Sequence, residues 1–375
     1  MSAITVFIAG SGGIGSAVGL LLRQFWSREV NLILGDIDLS AAENACAWIQ
    51  EGGEAEGFVK AADMRQEWQG ELASAQLLLD CLPGRFAPQM AKHALDHGLH
   101  YVNLTEYVAE TKQIVEMAKG AATGFALQSG LAPGFVNVLG NRLFKAFCKT
   151  HGVDSAERLE MRVGALTKNA VAPHFYGFTW SPIGVATEYV KQAEVVRDHQ
   201  MVKVDSLSER RALLIDGRPY EEELTSGGAA DIPIALAEKI RHIDYKTLRY
   251  PGHYAWVDGI LDSVPEGEDS IAYLEREMLR QVPSVEDDEV IVYCAVEGLD
   301  SSGRLRRIDE AIRVLPIQIG NVQLRAIQST TAAGMAEAAR MLIENDHKGV
   351  LFQSQIDSES FLSGPFVGPV YYGQA

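Results

Sequence analysis

Residues 10 to 15 read GSGGIG, which places Gly10, Gly12 and Gly15 in the G-x-G-x-x-G spacing of a dinucleotide pyrophosphate loop. In such a loop the first glycine makes the tight turn, the second lets the ligand approach the backbone, and the third lets the helix pack on the strand. The amides of Gly13, Ile14 and Gly15 then point at the phosphates from the helix start. Asp36 ends the next apolar run, about 20 residues past the last glycine, where a carboxylate accepts hydrogen bonds from ribose hydroxyls and repels a 2′-phosphate. NAD is therefore expected over NADP, with Asp38 as the alternative carboxylate. Asp63 closes a third run, near where an adenine would lie. Cys81, Leu82 and Pro83 of CLPG, and Asn103, Thr105 and Glu106 of NLTE, fall at the carboxyl ends of further runs, where open α/β sheets bind ligands. His93 and His97 have metal-ligand spacing on a helix, but no third ligand is evident and no glutamate follows His93, so no metal is expected.

These residues need a scaffold, and the pattern around them supplies one. Short β-rich runs at 3–10, 30–36, 76–82, 100–105 and 124–129 alternate with helical patterns, as in a doubly wound parallel sheet with crossover helices. Ile14, Ala17, Val18, Leu21, Leu22 and Phe25 recur at helical spacing after the glycine loop. Ser40 is the expected N-cap of a helix over 40–53. At SGLAPGFVNVLG (129–140) the chain turns out of this fold, with Pro133 in a first helical turn and Val136, Leu139, Leu143 and Phe147 on one apolar face. Longer alternating runs follow at 158–166, 288–298 and 304–315, implying an α+β domain with an antiparallel or mixed sheet. A helix with Ser329 or Thr330 as N-cap then returns to the first domain. The expected division is 1–130 with 329–375 as a Rossmann domain, and 131–328 as a substrate and dimerisation domain.

The 375 residues carry 50 acidic and 33 basic side chains, a net charge of −17 that opposes counterion-release binding to nucleic acid. No window approaches a membrane span, and the amino terminus lacks the basic region of a signal peptide. Four dispersed cysteines with no Cys-x-x-Cys pair fit free thiols in a reducing compartment. A cytoplasmic protein with a small-molecule substrate is expected.

The glycine loop, CLPG, SGLAPGFVNVLG, FTWSPIG (178–184), VKVDSLSE (202–209), TLRYPGH (247–253) and STTAAGMAEAARMLIEN (329–345) occur in one order. In that order the chain resembles the saccharopine dehydrogenase-like oxidoreductases, most of all the L-lysine 6-dehydrogenases, from about residue 4 to about 357. The resemblance implies a Rossmann domain, an inserted substrate domain, a homodimer, and hydride transfer between nicotinamide and a carbon bearing an amine. It also implies a substrate contact at Arg249. Thr247, Asn103 and Thr105 are expected beside the substrate, and Trp180 against the nicotinamide or the substrate. Saccharopine reductases read Leu-Asp-Pro-Gly at the hinge. Ala132 replaces that aspartate here, which argues against saccharopine as substrate. Ile183 and Ala230 stand where relatives carry arginines, removing two holders of a substrate carboxylate.

Oxidation of a C–N bond needs a neutral amine, a carboxylate anchor and a base. His253 and Lys168 are the candidate bases, and Glu106 could attract or deprotonate an ammonium group. Three functions fit: an NAD-dependent amino-acid dehydrogenase, a reductive condensation of an amine with an oxo acid of the saccharopine or carboxynorspermidine type, and an NAD-binding regulatory protein without turnover.

Overall fold

The computed structural model describes residues 3–53 and 55–373. The chain divides into two compact units: residues 1–138 with 317–324 and 328–375, and residues 139–316 with 325–327.

The first unit opens with β1 (Ile4–Ala9), α1 (Gly13–Phe25), β2 (Val30–Asp36), α2 (Leu39–Glu51), β3 (Val59–Asp63), α3 (Gln69–Leu72), β4 (Leu77–Asp80), α4 (Ala87–His97), β5 (His100–Asn103), α5 (Val108–Met117), β6 (Gly124–Ala126) and the start of α6 (Phe135–His151). Strands β1 and β4 are buried almost throughout, as expected of parallel strands covered on both faces. The α1 residues Ala17, Val18, Leu20, Leu21 and Leu22 are wholly buried.

The second unit comprises the rest of α6, then β7 (Ala156–Thr167), α7 (Pro182–Val190), β8 (Ala193–Arg197), β9 (Gln200–Val204), β10 (Arg211–Ile215), β11 (Arg218–Leu224), α8 (Ile232–Leu236), β12 (Ile240–Arg249), α9 (His253–Leu261), α10 (Ser270–Gln281), β13 (Asp288–Leu299) and β14 (Leu305–Val314). Among the described residues its main sheet runs β10-β11-β12-β7-β13-β14, with β8 and β9 attached beside β12. Strands β12 and β7 are parallel and the other neighbours antiparallel, so the sheet is mixed. One face carries a buried ion network in which Arg162 meets Glu222 at 2.5 Å and Asp244 at 2.8 Å.

The chain then returns to the first unit through β15 (Ile317–Ile319), β16 (Val322–Leu324), most of α11 (Ala326–Glu344), β17 (Gly349–Leu351) and α12 (Ser358–Leu362). Strand β17 pairs in parallel with β6. The first sheet thus has the order β17-β6-β5-β4-β1-β2-β3 among the described residues. Strand order reverses between β1 and β4, so this is the doubly wound sheet the alternation predicts, with one strand more than the first third of the chain supplies.

Three local expectations change. Asp38, not Ser40, caps α2, its Oδ1 accepting from the Ser40 amide at 3.0 Å and the Ser40 hydroxyl at 2.7 Å. Pro133 precedes α6 rather than filling its first turn. The segment closes by the Gly130 amide donating to the Pro133 carbonyl and the Phe135 amide to the Gly130 carbonyl, both at 2.9 Å. Ser329 and Thr330 lie inside α11 and are fully buried. The start of that helix is capped by Asp288 of β13, whose carboxylate accepts from the Ala326 and Ile327 amides at 2.7 and 2.8 Å.

Candidate active site

In the first unit the glycine loop joins β1 to α1 beside the strand-order reversal. Gly10 has φ +96°, a conformation side chains rarely adopt, and a Cβ there would sit 3.0 Å from the Cys81 carbonyl oxygen. At Gly15 a Cβ would stand 1.9 Å from the Gly10 carbonyl oxygen, whereas at Gly12 it would meet nothing within 4 Å. Gly12 is the N-cap of α1, offers no side-chain bond to the helix, and is followed by no acidic residue in the first turn. The first amides of a helix have no intrahelical partner, so those of Gly13, Ile14 and Gly15 are left for a ligand at the positive end of the dipole. Such a cradle fits a diphosphate.

Asp36 braces this loop. Its Oδ2 accepts from the Ser11 amide at 2.9 Å and its Oδ1 from the Asp38 amide at 3.0 Å. Because each carboxylate oxygen has further lone-pair capacity, Asp36 can also receive ribose hydroxyls. Asp38 is committed to capping α2. Asp63 pairs with Asp36 in register and accepts from the Arg65 amide at 2.9 Å and from Gln66 Nε2 at 2.9 Å. The Arg65 amide bond does most to hold the Asp63 carboxyl below its usual range. Cys81 donates its amide to the Ala9 carbonyl at 2.8 Å, tying CLPG to the glycine turn. Burial pushes the Cys81 thiol up, which makes it unreactive packing.

Behind CLPG lies Asp80, 2% exposed. It accepts from Tyr101 Oη at 2.8 Å and from the Leu82 amide at 3.0 Å, yet burial still pushes its carboxyl up to about 6. Asn103, expected beside the substrate, is buried and braces the strand ends instead. Its Oδ1 accepts from the Gln128 amide at 2.9 Å and its Nδ2 donates to Tyr101 Oη at 3.4 Å. Thr105 Oγ1 accepts from the Tyr107 amide at 3.2 Å and packs where a Cβ on Gly84 would stand 2.2 Å away. Glu106 is partly buried in the next loop, and burial raises its carboxyl pKa.

The second unit gathers Arg249, Thr247, Trp180 and His253. Arg249 is 1% exposed at the end of β12. Its Nε donates to Tyr189 Oη at 2.7 Å and its Nη1 to the Leu248 carbonyl at 3.0 Å, with the guanidinium carbon 4.8 Å from the centre of the Tyr176 ring. His253 is completely buried, with Nδ1 2.7 Å from the His174 carbonyl and Nε2 3.0 Å from Tyr189 Oη. A carbonyl only accepts, so Nδ1 carries the proton and Nε2 accepts from the Tyr189 hydroxyl. Burial, followed by Arg249, pushes His253 down to about 3. Both ring nitrogens are thus occupied and the ring is neutral, a geometry that holds Tyr189 and through it Arg249 rather than freeing an imidazole to take a proton. Thr247 shares its hydroxyl with Thr225 at 2.7 Å. Trp180 is partly buried over Gly184, where a Cβ would clash with its ring at 2.3 Å. Lys168 is exposed in the turn after β7. Ile183 is 38% exposed and Ala230 has φ +49°; both side chains are apolar and neither offers a charge. His93 packs edge-on against Trp68, and no metal-holding cluster is present among the described residues.

Tyr189 and Tyr176 belong to no motif in the sequence. Their only local signal is the aromatic density of HFYGFTW and the apolar face of α7, which reads equally well as core.

A strand-order reversal over a glycine loop, with a braced acidic residue on β2, defines a Rossmann-type dinucleotide-binding fold. The chain belongs to the saccharopine dehydrogenase family: residues 6–127 match the saccharopine dehydrogenase NADP binding domain and residues 130–369 the saccharopine dehydrogenase C-terminal domain. The fold is similar to that of saccharopine dehydrogenase (L-Glu forming) from Saccharomyces cerevisiae, with a TM-score of 0.72 at 14% identity over 98% of both chains. It is also similar to homospermidine synthase from Legionella pneumophila solved with NAD, with a TM-score of 0.65 at 13% identity over 98% of this chain and 90% of that one. No helix among the described residues is long and apolar enough to cross a membrane.

Proposed function

We propose that this protein is an NAD-dependent dehydrogenase acting on an amine-bearing carbon of an amino acid, lysine 6-dehydrogenase-like. The observation that carries the reading is Arg249, a buried guanidinium at the end of β12 whose Nε is fixed by Tyr189. A planar guanidinium held in this way suits the two oxygens of a substrate carboxylate. When bound, a nicotinamide dinucleotide would supply the hydride acceptor for the amine carbon. The residues of the chain supply the rest. Gly12 to Gly15 hold the diphosphate, Asp36 holds the ribose, and Glu106, its carboxyl pKa raised, takes the amine proton. His253 is given a holding role in place of the base role, and Lys168 is kept as the second candidate base. The imine product adds water and releases ammonia. A cytoplasmic homodimer, joined through the second unit, completes the proposal.

Nicotinamide absorbance tests it. Reduction of NAD by one member of an amino-acid and polyamine panel supports the reading. Consumption of NADH only with paired amine and oxo acid favours the condensing reaction instead, and NAD binding without turnover on any of them favours a regulatory protein. Asp36→Ala is expected to weaken NAD about tenfold or more, for one or two lost hydrogen bonds, while relaxing discrimination against NADP. Unchanged affinity and discrimination would remove the NAD assignment.

A further inference from the structure

The phenol oxygen of Tyr101, wholly buried on β5, has more acceptors around it than it has protons. Asp80 Oδ2 lies 2.8 Å away and the Ala87 carbonyl, at the start of α4, 3.1 Å away, while Asn103 Nδ2 approaches at 3.4 Å. A phenol carries one proton and a carbonyl none. With Asp80 ionised, Tyr101 donates either to the carboxylate or to Ala87, and the other contact sets lone pair against lone pair. With Asp80 protonated every contact has its own proton: Asp80 donates to Tyr101, Tyr101 donates to Ala87, and Asn103 donates to Tyr101.

No cation offsets the charge that Asp80 would carry. The titratable groups acting on it are Tyr101 from β5 and Cys81 next in the chain, and burial keeps both protonated. Ala9 of β1 and Ala87, Met90 and Ala91 of α4 bring apolar side chains to the same cluster as Tyr101, and Met335 of α11 meets Cys81. The rise of the Asp80 carboxyl to about 6 on burial agrees with this proton count. Asp80 also lies at the base of the dinucleotide cradle. It pairs with Ala9 in register, its Oδ1 accepts from the Leu82 amide at 3.0 Å, and the Cys81 amide donates to the Ala9 carbonyl, one residue before Gly10. A negative charge at this point opposes a diphosphate on the amides of Gly13 to Gly15, whereas an uncharged acid does not. We infer that Asp80 is a proton-linked switch on dinucleotide binding. Protonated, it donates to Tyr101 and leaves the cradle unopposed; ionised, its proton lost to solvent, it draws the Tyr101 hydroxyl away from Ala87 and repels the diphosphate. The inference rests on the dinucleotide cradle at the β1–α1 turn. By linkage, binding the dinucleotide favours the protonated form to the same extent.

Infrared spectra of the ligand-free protein and calorimetric titration with NAD, each from about pH 5 to about pH 8, test the two halves separately. Wild type should show a protonated-carboxyl stretch at the acid end that fades toward the basic end and is missing from Asp80→Asn. NAD affinity should fall about fivefold or more across the same window. Asp80→Asn, whose amide donates to Tyr101 as the acid does, should show no such fall. Tyr101→Phe removes the donor to the ionised carboxylate and should move both transitions to higher pH. Thermal melts establish that the variants fold, and if Asp80→Asn does not, the Tyr101→Phe shift decides alone. A wild-type spectrum without the band, or transitions unmoved in Tyr101→Phe, would overturn the switch. Binding profiles shared by wild type and Asp80→Asn would overturn its coupling to the dinucleotide while leaving the cradle standing. Absence of NAD binding at every pH would overturn the coupling and the dinucleotide reading together.

Discussion

At the scale of single residues, the two inner glycines of the loop separate folding from binding. A Cβ at Gly12 enters open space, while at Gly15 it meets the Gly10 carbonyl oxygen at 1.9 Å. Gly12→Ala should therefore keep the melting temperature of wild type and lose dinucleotide binding in calorimetry. Gly15→Ala should lose both, because backbone and not a flexible side-chain end stands in the way. Asp80 gives a pH-dependent counterpart. Its carboxyl, pushed up to about 6 by burial, holds a proton more tightly folded than unfolded. The stability it confers is then full below the ordinary carboxylate pKa of about 3.9 and is lost as pH rises to about 6. The tighter hold on that proton is worth at most about 3 kcal/mol. Denaturant titrations across that window should show wild type losing stability with rising pH relative to Asp80→Asn. Parallel pH profiles for the two proteins would contradict the burial argument.

Helix starts and strand faces carry the argument at the scale of elements. The cap on α11 comes from β13, 38 residues upstream of Ala326, so removing it acts on a helix whose own sequence is untouched. Asp288→Ala should cost about 1–2 kcal/mol in chemical denaturation, in the range of lost caps. A change under a few tenths would mean that the amides find another acceptor. The periodicity of α1, β7, β13 and β14 was legible because each is long enough for its pattern to repeat. The caps were not, since a cap is chosen by whichever oxygen reaches the amide. Asp38 outcompetes Ser40 from two residues away, and Asp288 outcompetes Ser329 and Thr330 from a different strand. Arg162 makes the same point for strands. Alternation places it on a sheet face, but its partners Glu222 and Asp244 are brought to it by β11 and β12.

Across the whole molecule, the first unit is discontinuous and depends on its return segment. Strand β17 completes the sheet beside β6. Gln353 Nε2 donates to the Leu127 carbonyl at 2.8 Å and to Ser129 Oγ at 3.1 Å. Tyr371 stacks on Phe135 with centroids 3.6 Å apart and donates its hydroxyl to the Thr330 carbonyl at 3.0 Å. The tail therefore folds onto the hinge segment, although its glycines and aromatics match no motif. Tyr371→Ala should destabilise the protein by about 3–5 kcal/mol, the range for truncating a buried aromatic, and NAD affinity measured well below the melting temperature should persist. A loss below about 1 kcal/mol would mean that the tail contributes little to the core.

By itself the sequence determined the dinucleotide loop, the acidic end of β2, the two kinds of sheet and the family, because these depend on neighbours along the chain. Spacing of glycines, period-two and period-3.6 patterns, and ordered motifs are all local signals. Tertiary structure alone decided which polar groups are satisfied and which are left waiting. It turned Asn103 and His253 inward as braces, made Asp288 a cap, and set the Arg249 guanidinium over the Tyr176 ring. Hydrogen-bond satisfaction is a property of distances between segments far apart in the chain, and no spacing within one segment encodes it.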